Sequence, residues 1–416
     1  MPTLHNLPPE LISHIMIFVV VEPACFPISL GEPRLRLTQV CTAWRNIAFD
    51  TPFIWNLRFP ASYDSPDALR LANYWWSQCS SSDLLLLINP VPLECAPPRS
   101  TRFLENMVLP FTHRLGVIRV NLNCAGITKL LALPPHSFQN LRKISIWLQD
   151  ADFKPSWKKS ETSLEAAPLL HSVCLSFPPK SQFKPRLPWR QLTRLVLVTS
   201  TSGSDFLTIL SQCVCLEDGT FLEISDLNFE MISQIESLPN QVLQLPKLQN
   251  LSIRFGCSSF RYITSRLILP NVIDLQFACW PNRADPTSDF IAFLQPMKDS
   301  LQHLELRSGL AGEYNVVSEA ILESLPHLRT FIVPLRHIIL PSTLERISKG
   351  EFLQKVERFH FGVNNIAPVI DMLHTRKTNS FCSIMEIRVQ TKSRSFGFLD
   401  ELEELRSQGI DIDVIG

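Results

Sequence analysis

Glycine and tyrosine are scarce in this chain, and neither sign of charge is in excess. Only 13 of the 416 residues are glycine and 4 are tyrosine, while 39 Lys and Arg balance 39 Asp and Glu. The glycines never occur as G-x-G, which excludes dinucleotide-binding and kinase-type phosphate loops. A chain of zero net charge has no overall field that draws it onto nucleic acid or an anionic membrane. We therefore expect neither partner.

Long apolar runs and secretory features are also missing. The longest runs, Ile15–Val21 and Leu84–Ile88, are far shorter than the ~18–20 residues that span a bilayer. The opening MPTLHNLPPE lacks a basic start and has Pro and Glu where the apolar region of a signal peptide would begin. The 11 cysteines are odd in number, which favours reduced thiols. These features predict an intracellular protein, with cytoplasm and nucleus both open.

Motifs for catalysis and metal binding are absent as well. The sequence has no G-x-x-x-x-G-K-[ST], G-x-S-x-G or H-E-x-x-H. Cys213 and Cys215 form a lone C-x-C, which predicts either a metal site or two core thiols. Core thiols are favoured, because no second cluster of Cys or His lies nearby. Four histidines lie in one stretch of sequence: His303, His327, His337 and His360. Surface or hydrogen-bonded roles are favoured over a catalytic base for them. We predict no catalytic residue, no cofactor, no bound metal and no enzymatic activity.

The first sixty residues carry two helical patterns. Pro8 and Pro9 are tolerated in a first helical turn, and apolar residues follow at helical spacing through Leu7–Phe18. The proline-rich segment Val21–Pro33 predicts a loop. A single amphipathic helix is then predicted by the apolar stripe of Leu37, Val40, Cys41, Trp44 and Ala48.

Two such helices form a unit near the lower size limit for independent folding. Their apolar stripes are wider than two helices can cover for each other. Either these are core helices of one larger domain, covered by the rest of the chain, or a partner covers them.

The sequence of this segment resembles an F-box over about residues 4–57. The matching positions are Leu7, Pro8, Glu10, Leu11, Ile15, Val40, Cys41, Trp44, Arg45 and Trp55. The loop Val21–Pro33 is longer than the connection usual in that family. The resemblance implies an F-box at residues 1–60 that binds the SKP-family adaptor of a cullin-RING ubiquitin ligase through an apolar helical surface. The implied adaptor-binding residues are Leu7, Pro8, Leu11, Ile12, Ile15, Leu37, Val40, Cys41 and Trp44.

The rest of the chain repeats a six-residue unit, in which a large apolar residue is followed three and five positions later by two more. Eleven such units start at Leu115, Leu141, Leu170, Leu192, Leu216, Leu248, Val272, Leu301, Leu328, Val356 and Ile384. The mean step between them is about 27 residues, and L-x-x-L-x-L at ~20–29 residues is the pattern of leucine-rich repeats. The unit LEDGTF at Leu216 is degenerate.

Helix-like stretches separate the strand-like units. They are Ser204–Cys213, Asp226–Leu238, Asp285–Leu301, Glu313–Leu325 and Asn364–His374. Residues 61–416 thus resemble an irregular leucine-rich-repeat solenoid, which implies an α/β fold with parallel strands on the concave face and helices on the convex face. Atypical end units are predicted at Tyr63–Cys79 with Leu84–Ile88, and at Leu399–Leu405 with Ile410–Ile415.

Alternate side chains of the predicted strands point away from the core. Trp and Arg are the residue types that most often anchor protein interfaces. The candidate substrate-binding residues are therefore Trp147, Arg119, Arg254, Arg307, His360 and Arg388. For Trp147, packing beneath a neighbouring loop is an equally good interpretation.

The order of F-box and repeats resembles the F-box/leucine-rich-repeat substrate receptors. That resemblance implies a substrate-recognition adaptor, with the SKP-family adaptor, the cullin scaffold and an unknown protein substrate as partners. An alternative is a scaffold that assembles complexes through the F-box without ubiquitin-ligase output. A third class, an enzyme with a degenerate repeat shell, has no site motif in its favour.

Overall fold

A computed structural model describes most of the chain. The described residues are 7–20, 22–25, 28–29, 31–59, 66–78, 84–88, 104–122, 124–148, 164–177, 186–224, 242–255, 260–279, 287–307, 315–334, 337–379, 384–391 and 398–415. The chain divides into two compact units, Met1–Thr199 and Ser200–Gly416.

Helices and strands alternate along both units. The helices of the described residues are α1 (Pro9–Val19), α2 (Pro33–Gln39), α3 (Thr42–Phe49), α4 (Pro66–Gln78), α5 (Cys124–Leu131), α6 (Gly203–Gln212), α7 (Phe260–Thr264), α8 (Thr287–Leu294), α9 (Glu319–Glu323), α10 (Pro341–Ser348), α11 (Ala367–Thr378) and α12 (Leu399–Ser407). Short 3-10 turns lie at Pro52–Trp55, Leu109–Arg114, Trp189–Gln191 and Gln295–Met297, and a π-helical turn lies at Leu104–Val108.

The strands of the described residues are β1 (Ala24–Cys25), β2 (Leu57–Phe59), β3 (Leu84–Ile88), β4 (Leu115–Leu122), β5 (Lys143–Leu148), β6 (Ser172–Ser176), β7 (Arg194–Thr201), β8 (Asp218–Ile224), β9 (Leu243–Gln244), β10 (Asn250–Phe255), β11 (Leu267–Ile268), β12 (Asp274–Cys279), β13 (His303–Arg307), β14 (Asn315–Val316), β15 (Thr330–Ile332), β16 (His337–Ile338), β17 (Arg358–Val363), β18 (Glu386–Thr391) and β19 (Asp411–Ile415).

The first unit is organised around a parallel ladder in chain order, β1 to β7. Each new strand pairs beside the one before it, which is possible because a crossover connection lies between parallel neighbours. The register aligns Ile118, Ile144, Val173 and Leu195 across four strands. All four side chains are at most 1% exposed, so they form one continuous core row.

The second unit repeats this arrangement. Its main ladder pairs β8, β10, β12, β13, β15, β17, β18 and β19 in parallel. The two-residue strands β14 and β16 pair with each other, β16 also pairs with β17, and β9 pairs with β11. The core row here contains Leu251, Leu275, Leu304, Phe331, Phe359, Ile387 and Ile412, all buried. Burying each such side chain contributes roughly 1.5–3 kcal/mol relative to its exposed state.

The predicted α/β class with parallel strands is confirmed. All eleven predicted strand units contain a strand: β4, β5, β6, β7, β8, β10, β12, β13, β15, β17 and β18. The helix predicted at Ser204–Cys213 is α6, and the one predicted at Asn364–His374 is α11. The predicted end units contain α4 with β3 and α12 with β19. The predicted helix Asp226–Leu238 lies outside the described residues.

Three details of the sequence-based prediction are wrong. The single helix predicted through Leu37–Ala48 is two helices, α2 and α3, because Cys41 is fully extended (φ −163°, ψ 173°). The segment Val21–Pro33, predicted as a loop, contains the short strand β1, which pairs with β2. The helix predicted at Glu313–Leu325 shrinks to α9, preceded by β14.

The predicted domain boundary at residue 60 stays a prediction. The contact-based division of the chain falls between Thr199 and Ser200. No helix in the described part of the chain combines the length and apolar character required to cross a bilayer.

Candidate functional site

Helix α1 is apolar on two of its faces. Ile12, Met16 and Val20 recur every four residues and are at most 3% exposed, so this face packs into the first unit. The second face presents four apolar side chains to solvent, and we call it the open stripe: Leu11, Ile15, Phe18 and Val19. Phe18 is 82% exposed. A surface helix normally has one apolar face, turned to the core, so the open stripe is an exception that requires a reason.

The junction between α2 and α3 adds a second apolar feature. Cys41 caps α3, because its Sγ accepts the backbone N–H of Trp44 at 3.5 Å. Arg45 Nε donates to the Thr38 carbonyl at 2.9 Å and ties α3 back to α2. The kink at the junction leaves Val40 56% exposed. Val40 is therefore held at the surface by the geometry of the two helix ends.

The structure divides the nine candidate adaptor-binding residues by burial. Ile12, Leu37 and Trp44 are at most 8% exposed and pack inside the first unit. Leu7 and Cys41 are half-buried. Exposed positions are Pro8, Leu11, Ile15 and Val40. Three further exposed apolar residues were not among the candidates: Phe18, Val19 and Phe53.

A buried arginine holds this region together. Arg34 is 3% exposed; its guanidinium pairs with Glu32 and donates to the backbone carbonyls of Ile54 and Glu22. Burial lowers the pKa of Arg34, and the neighbouring Glu32 carboxylate acts in the opposite direction. Since each of the three guanidinium nitrogens donates a hydrogen bond in these contacts, the charge is accommodated. The segments before, within and after α2 are thereby fixed to one another.

Aromatic side chains connect the opening helices to the first ladder. The Trp55 ring stacks on Phe49, with centroids 5.2 Å apart, and meets Trp75 of α4 edge-on at 5.3 Å. Trp55 Nε1 donates to the Ala48 carbonyl at 2.6 Å, and Trp76 Nε1 donates to the Trp55 carbonyl at 3.1 Å. Aromatic packing and hydrogen bonds therefore connect α3 and the turn after it to α4.

The candidate substrate-binding residues lie on the strand faces opposite the core. Arg119 on β4 is exposed and Trp147 on β5 is half-buried, both in the first unit. Arg119 is in register with Ser145, and Ser145 with Cys174 of β6. On β5, Ile144 and Ile146 are buried and alternate with Ser145 and Trp147. This alternation agrees with the predicted outward direction of Trp147.

The other four candidates belong to the second unit. Arg307 Nε donates to Glu305 at 2.9 Å, and its Nη2 donates to Gln276 Oε1 at 2.8 Å. Glu386 contacts both His360 Nε2 at 3.1 Å and Arg388 Nε at 3.3 Å. Arg254 is exposed on β10. The six candidates are thus divided between two ladders, and this face of the second ladder carries both signs of charge.

The cysteine pair and the histidines have ordinary surroundings. Cys213 is fully buried, and burial raises the pKa of its thiol to about 12, so it is protonated at neutral pH. Cys215 accepts from Lys247 Nζ at 3.6 Å. Within the described ranges, no three His, Cys, Asp or Glu side chains are grouped so that they could hold a metal ion. His303 contacts Thr330 Oγ1 at 2.9 Å.

Comparison of the sequence with models of known protein families found no match, and comparison with curated proteins found none either.

Proposed function

We propose that this protein is a substrate-recognition adaptor of a cullin-RING ubiquitin ligase. Its F-box-like opening segment binds a SKP-family adaptor, and its repeat region binds a protein substrate. The observation that carries the proposal is the open stripe of α1, which leaves four large apolar side chains in water on a helix whose adjacent face is already packed. Exposed apolar patches of this kind mark protein–protein interfaces.

The energetics favour a partner for the open stripe. Burying a large apolar side chain contributes roughly 1.5–3 kcal/mol. A few well-packed aromatic or aliphatic anchors commonly dominate the affinity of an interface. Phe18, the most exposed of the four, has the most apolar surface to lose on binding. Ile12, Leu37 and Trp44 support the interface from beneath, because they fix the helices that carry it.

The remainder of the chain supports a leucine-rich-repeat solenoid. Parallel strands recur about every 27 residues, with helices between many of them, which is the organisation of that repeat class. The strand face of such a solenoid is a broad surface suited to a protein substrate.

The proposed mechanism is positional. The chain holds the substrate near the ubiquitin-charged enzyme of the ligase and contributes no covalent chemistry. Holding two reactants in one assembly makes their encounter effectively intramolecular and raises the local concentration of the acceptor lysine.

The proposal is tested by measuring the affinity of the purified full chain for a SKP-family adaptor by titration calorimetry. Phe18→Asp should weaken binding at least about 30-fold, the equivalent of a 2 kcal/mol hot spot. Since Phe18 is 82% exposed, this variant should fold like the unmodified chain. Val214→Asp changes an exposed apolar residue of the second unit and should leave the affinity unchanged.

Circular dichroism must show equal folding of both variants. Two results would contradict the proposal: a full chain that does not bind the adaptor, and equal loss of binding in Phe18→Asp and Val214→Asp.

A further inference from the structure

Asn121 is a buried polar side chain on the face of the first ladder opposite the core. It lies on β4 between Val120 and Leu122, whose side chains are in the core. Only 7% of Asn121 is exposed. Its Oδ1 atom is buried and, within the part of the chain that the structure describes, accepts no hydrogen bond. A buried acceptor without a donor costs free energy, and such atoms are nearly always satisfied by protein, water or a ligand.

The neighbours of Asn121 form a recess that meets solvent at one aromatic ring. Register places Asn121 in one row with Trp147 of β5 and Ser176 of β6, and we call these three residues the amide row. Ser176 is only 6% exposed, although it also faces away from the core. Trp147 stands between the two polar residues and is half-buried. The ring of Trp147 is therefore the boundary between the amide row and solvent.

The adjacent row leaves room for a polypeptide backbone. Arg119, Ser145 and Cys174 are in register and lie two residues before the amide row on their strands. Two of these three side chains are short, so a second chain can approach the sheet closely there. The three strands span about 10 Å, which is the length of an extended segment of three residues.

The charges beside the amide row disfavour a cationic donor. Arg119 is exposed and precedes Asn121 by two residues on the same face. Burial raises the pKa of the Cys174 thiol, and the guanidinium groups of Arg194 and Arg119 act in the opposite direction. Positive charge thus acts on this part of the face. A lysine or arginine side chain approaching Asn121 would meet charge of its own sign.

A peptide group is the neutral partner that fits an asparagine best. The carboxamide of Asn121 offers an acceptor oxygen and a donor nitrogen. Each peptide group of a non-proline residue carries one N–H donor and one C=O acceptor, so it is the complement of the carboxamide. An extended segment presents these groups at regular intervals.

We propose that the amide row binds the backbone of an extended, non-basic segment of a protein partner. Asn121 Oδ1 accepts an N–H of this segment, and Nδ2 donates to one of its carbonyl oxygens. Trp147 turns to admit the backbone and packs against a side chain of the segment; rotamer changes of this kind are common at interfaces. The assignment of the segment to the substrate rests on the proposed function. Asn121 becomes a binding residue that the six candidates did not include.

The probe is a peptide selected from a random decapeptide library displayed on phage. The library is first depleted on Asn121→Leu and then selected on the unmodified full chain. A recovered peptide is synthesised with a fluorescein label, and its affinity is measured by fluorescence anisotropy. Asn121→Leu should weaken binding at least about tenfold, because leucine keeps the volume and loses both polar atoms.

A matched control makes the same change elsewhere. Asn250 begins β10 of the second ladder and is exposed, so Asn250→Leu should leave the affinity within about twofold. Asn121→Ser is a second variant at the site, which keeps a polar group too short to bridge a peptide group. It should lose binding as Asn121→Leu does, and it replaces Asn121→Leu in every measurement where the leucine variant does not fold.

Methylating one backbone nitrogen of the peptide at a time tests the hydrogen bond itself. One methylation should cost at least about tenfold in affinity for the unmodified chain, because it removes the N–H that Asn121 accepts. On Asn121→Leu the same methylation should have no further effect, since the acceptor is already gone.

The stability of the free chain separates a binding role from a structural one. Asn121→Leu should raise the thermal midpoint by about 2–4 °C, because it removes a buried acceptor that has no donor. An asparagine that serves the fold through a bound water would give a lower midpoint and an unchanged affinity for the peptide.

Four results would overturn the inference. The first is a selection that yields no peptide preferring the unmodified chain to Asn121→Leu. The second is equal weakening by Asn121→Leu and Asn250→Leu. The third is a methylation cost that is the same on the unmodified chain and on Asn121→Leu. The fourth is a lower thermal midpoint of Asn121→Leu with unchanged peptide affinity.

The same proteins distinguish failure of this inference from failure of the proposed function. Phe18→Asp should retain peptide binding, and Asn121→Leu should retain binding of the SKP-family adaptor. Asn121-dependent peptide binding without adaptor binding would overturn the ligase assignment alone. Adaptor binding without Asn121-dependent peptide binding would overturn the role of the amide row alone.

Discussion

Asp274, on the strand face of the second ladder, has a carboxyl group whose pKa is shifted by burial and by neighbouring charges. Asp274 begins β12 and is in register with Asn250 and His303. Burial raises the pKa of its carboxyl group, and His303, Arg307 and Arg358 offset part of that effect. A carboxyl group whose pKa is higher in the folded protein than in the unfolded chain binds protons more tightly when folded. Its contribution to stability therefore falls as pH rises through the interval above the ordinary aspartate value of 3.8.

Asp274→Asn should make the protein more stable at neutral pH, because the buried carboxylate no longer has to ionise. The gain should shrink as the pH falls toward and below 3.8, because the wild-type carboxyl group becomes protonated in the folded state first and then in the unfolded chain as well. Thermal denaturation of the wild type and of Asp274→Asn across this pH range measures the gain in stability. Asp413→Asn removes an exposed carboxylate from the same face and controls for the loss of one negative charge. A stability difference that does not change with pH would contradict the argument.

Burial of single apolar residues was the part of the site that the sequence could not decide. Leu11 and Ile12 are adjacent and almost equally apolar, yet Leu11 is 50% exposed and Ile12 is 3% exposed. A helix that is apolar on both sides gives no periodic signal for which side faces the core. The same limit applies to Phe18 and Val19, and Phe53 depends on the turn at Pro52–Trp55.

The strands were the most predictable elements. Each strand contributes buried apolar side chains to a core row, in register with those of the neighbouring strands. The sequence of each repeat therefore keeps apolar residues at the same spacing. Elements without that constraint were missed: α5 and α10 are short, and β1 has only two residues. The end of α2 was also missed, since a cysteine is a rare helix cap and the apolar stripe continues across the break.

The degenerate repeat of β8 shows how packing overrides the pattern. Gly219 takes the place of a large apolar residue, and a Cβ there would lie 2.9 Å from the Phe221 ring. That ring meets Phe206 of α6 edge-on, with centroids 4.8 Å apart. The Phe221 ring thus occupies the space that a side chain at position 219 would need.

Gly219→Leu, which restores the repeat pattern, should destabilise the protein by about 1–3 kcal/mol through overpacking. Equilibrium denaturation in urea measures the change. Combining it with Phe221→Leu should cost less than the sum of the two single changes, because the smaller side chain makes room. Additive effects, or a Gly219→Leu protein as stable as the parent, would contradict this account.

Over the whole first unit, the opening residues are part of the sheet. β1 and β2 pair ahead of β3, and Trp76 donates its indole N–H to the Trp55 carbonyl. The opening residues and β3 therefore share backbone pairing, and aromatic contacts join the opening residues to α4. A boundary chosen from sequence resemblance alone does not anticipate this pairing, since β2 is only three residues long.

Deletion of residues 1–60 should make the remaining chain aggregate. The deletion leaves β3, with the sequence Leu-Leu-Leu-Leu-Ile, as an unpaired and strongly apolar edge, and such edges template association. Size-exclusion chromatography should show large assemblies for the truncated chain and a discrete species for Phe18→Asp. A truncated chain that elutes as a discrete, cooperatively folded species would contradict the structural role assigned to β1 and β2.

The open stripe of α1 also has a consequence for the amount of this protein in the cell. Any copy of the protein without a partner displays its hydrophobic side chains to chaperones and proteases. A bound partner stabilises the folded form by mass action, and more strongly at higher concentration. Cellular abundance of the chain should therefore follow that of its partner, and overproduction alone should yield surplus copies that are cleared.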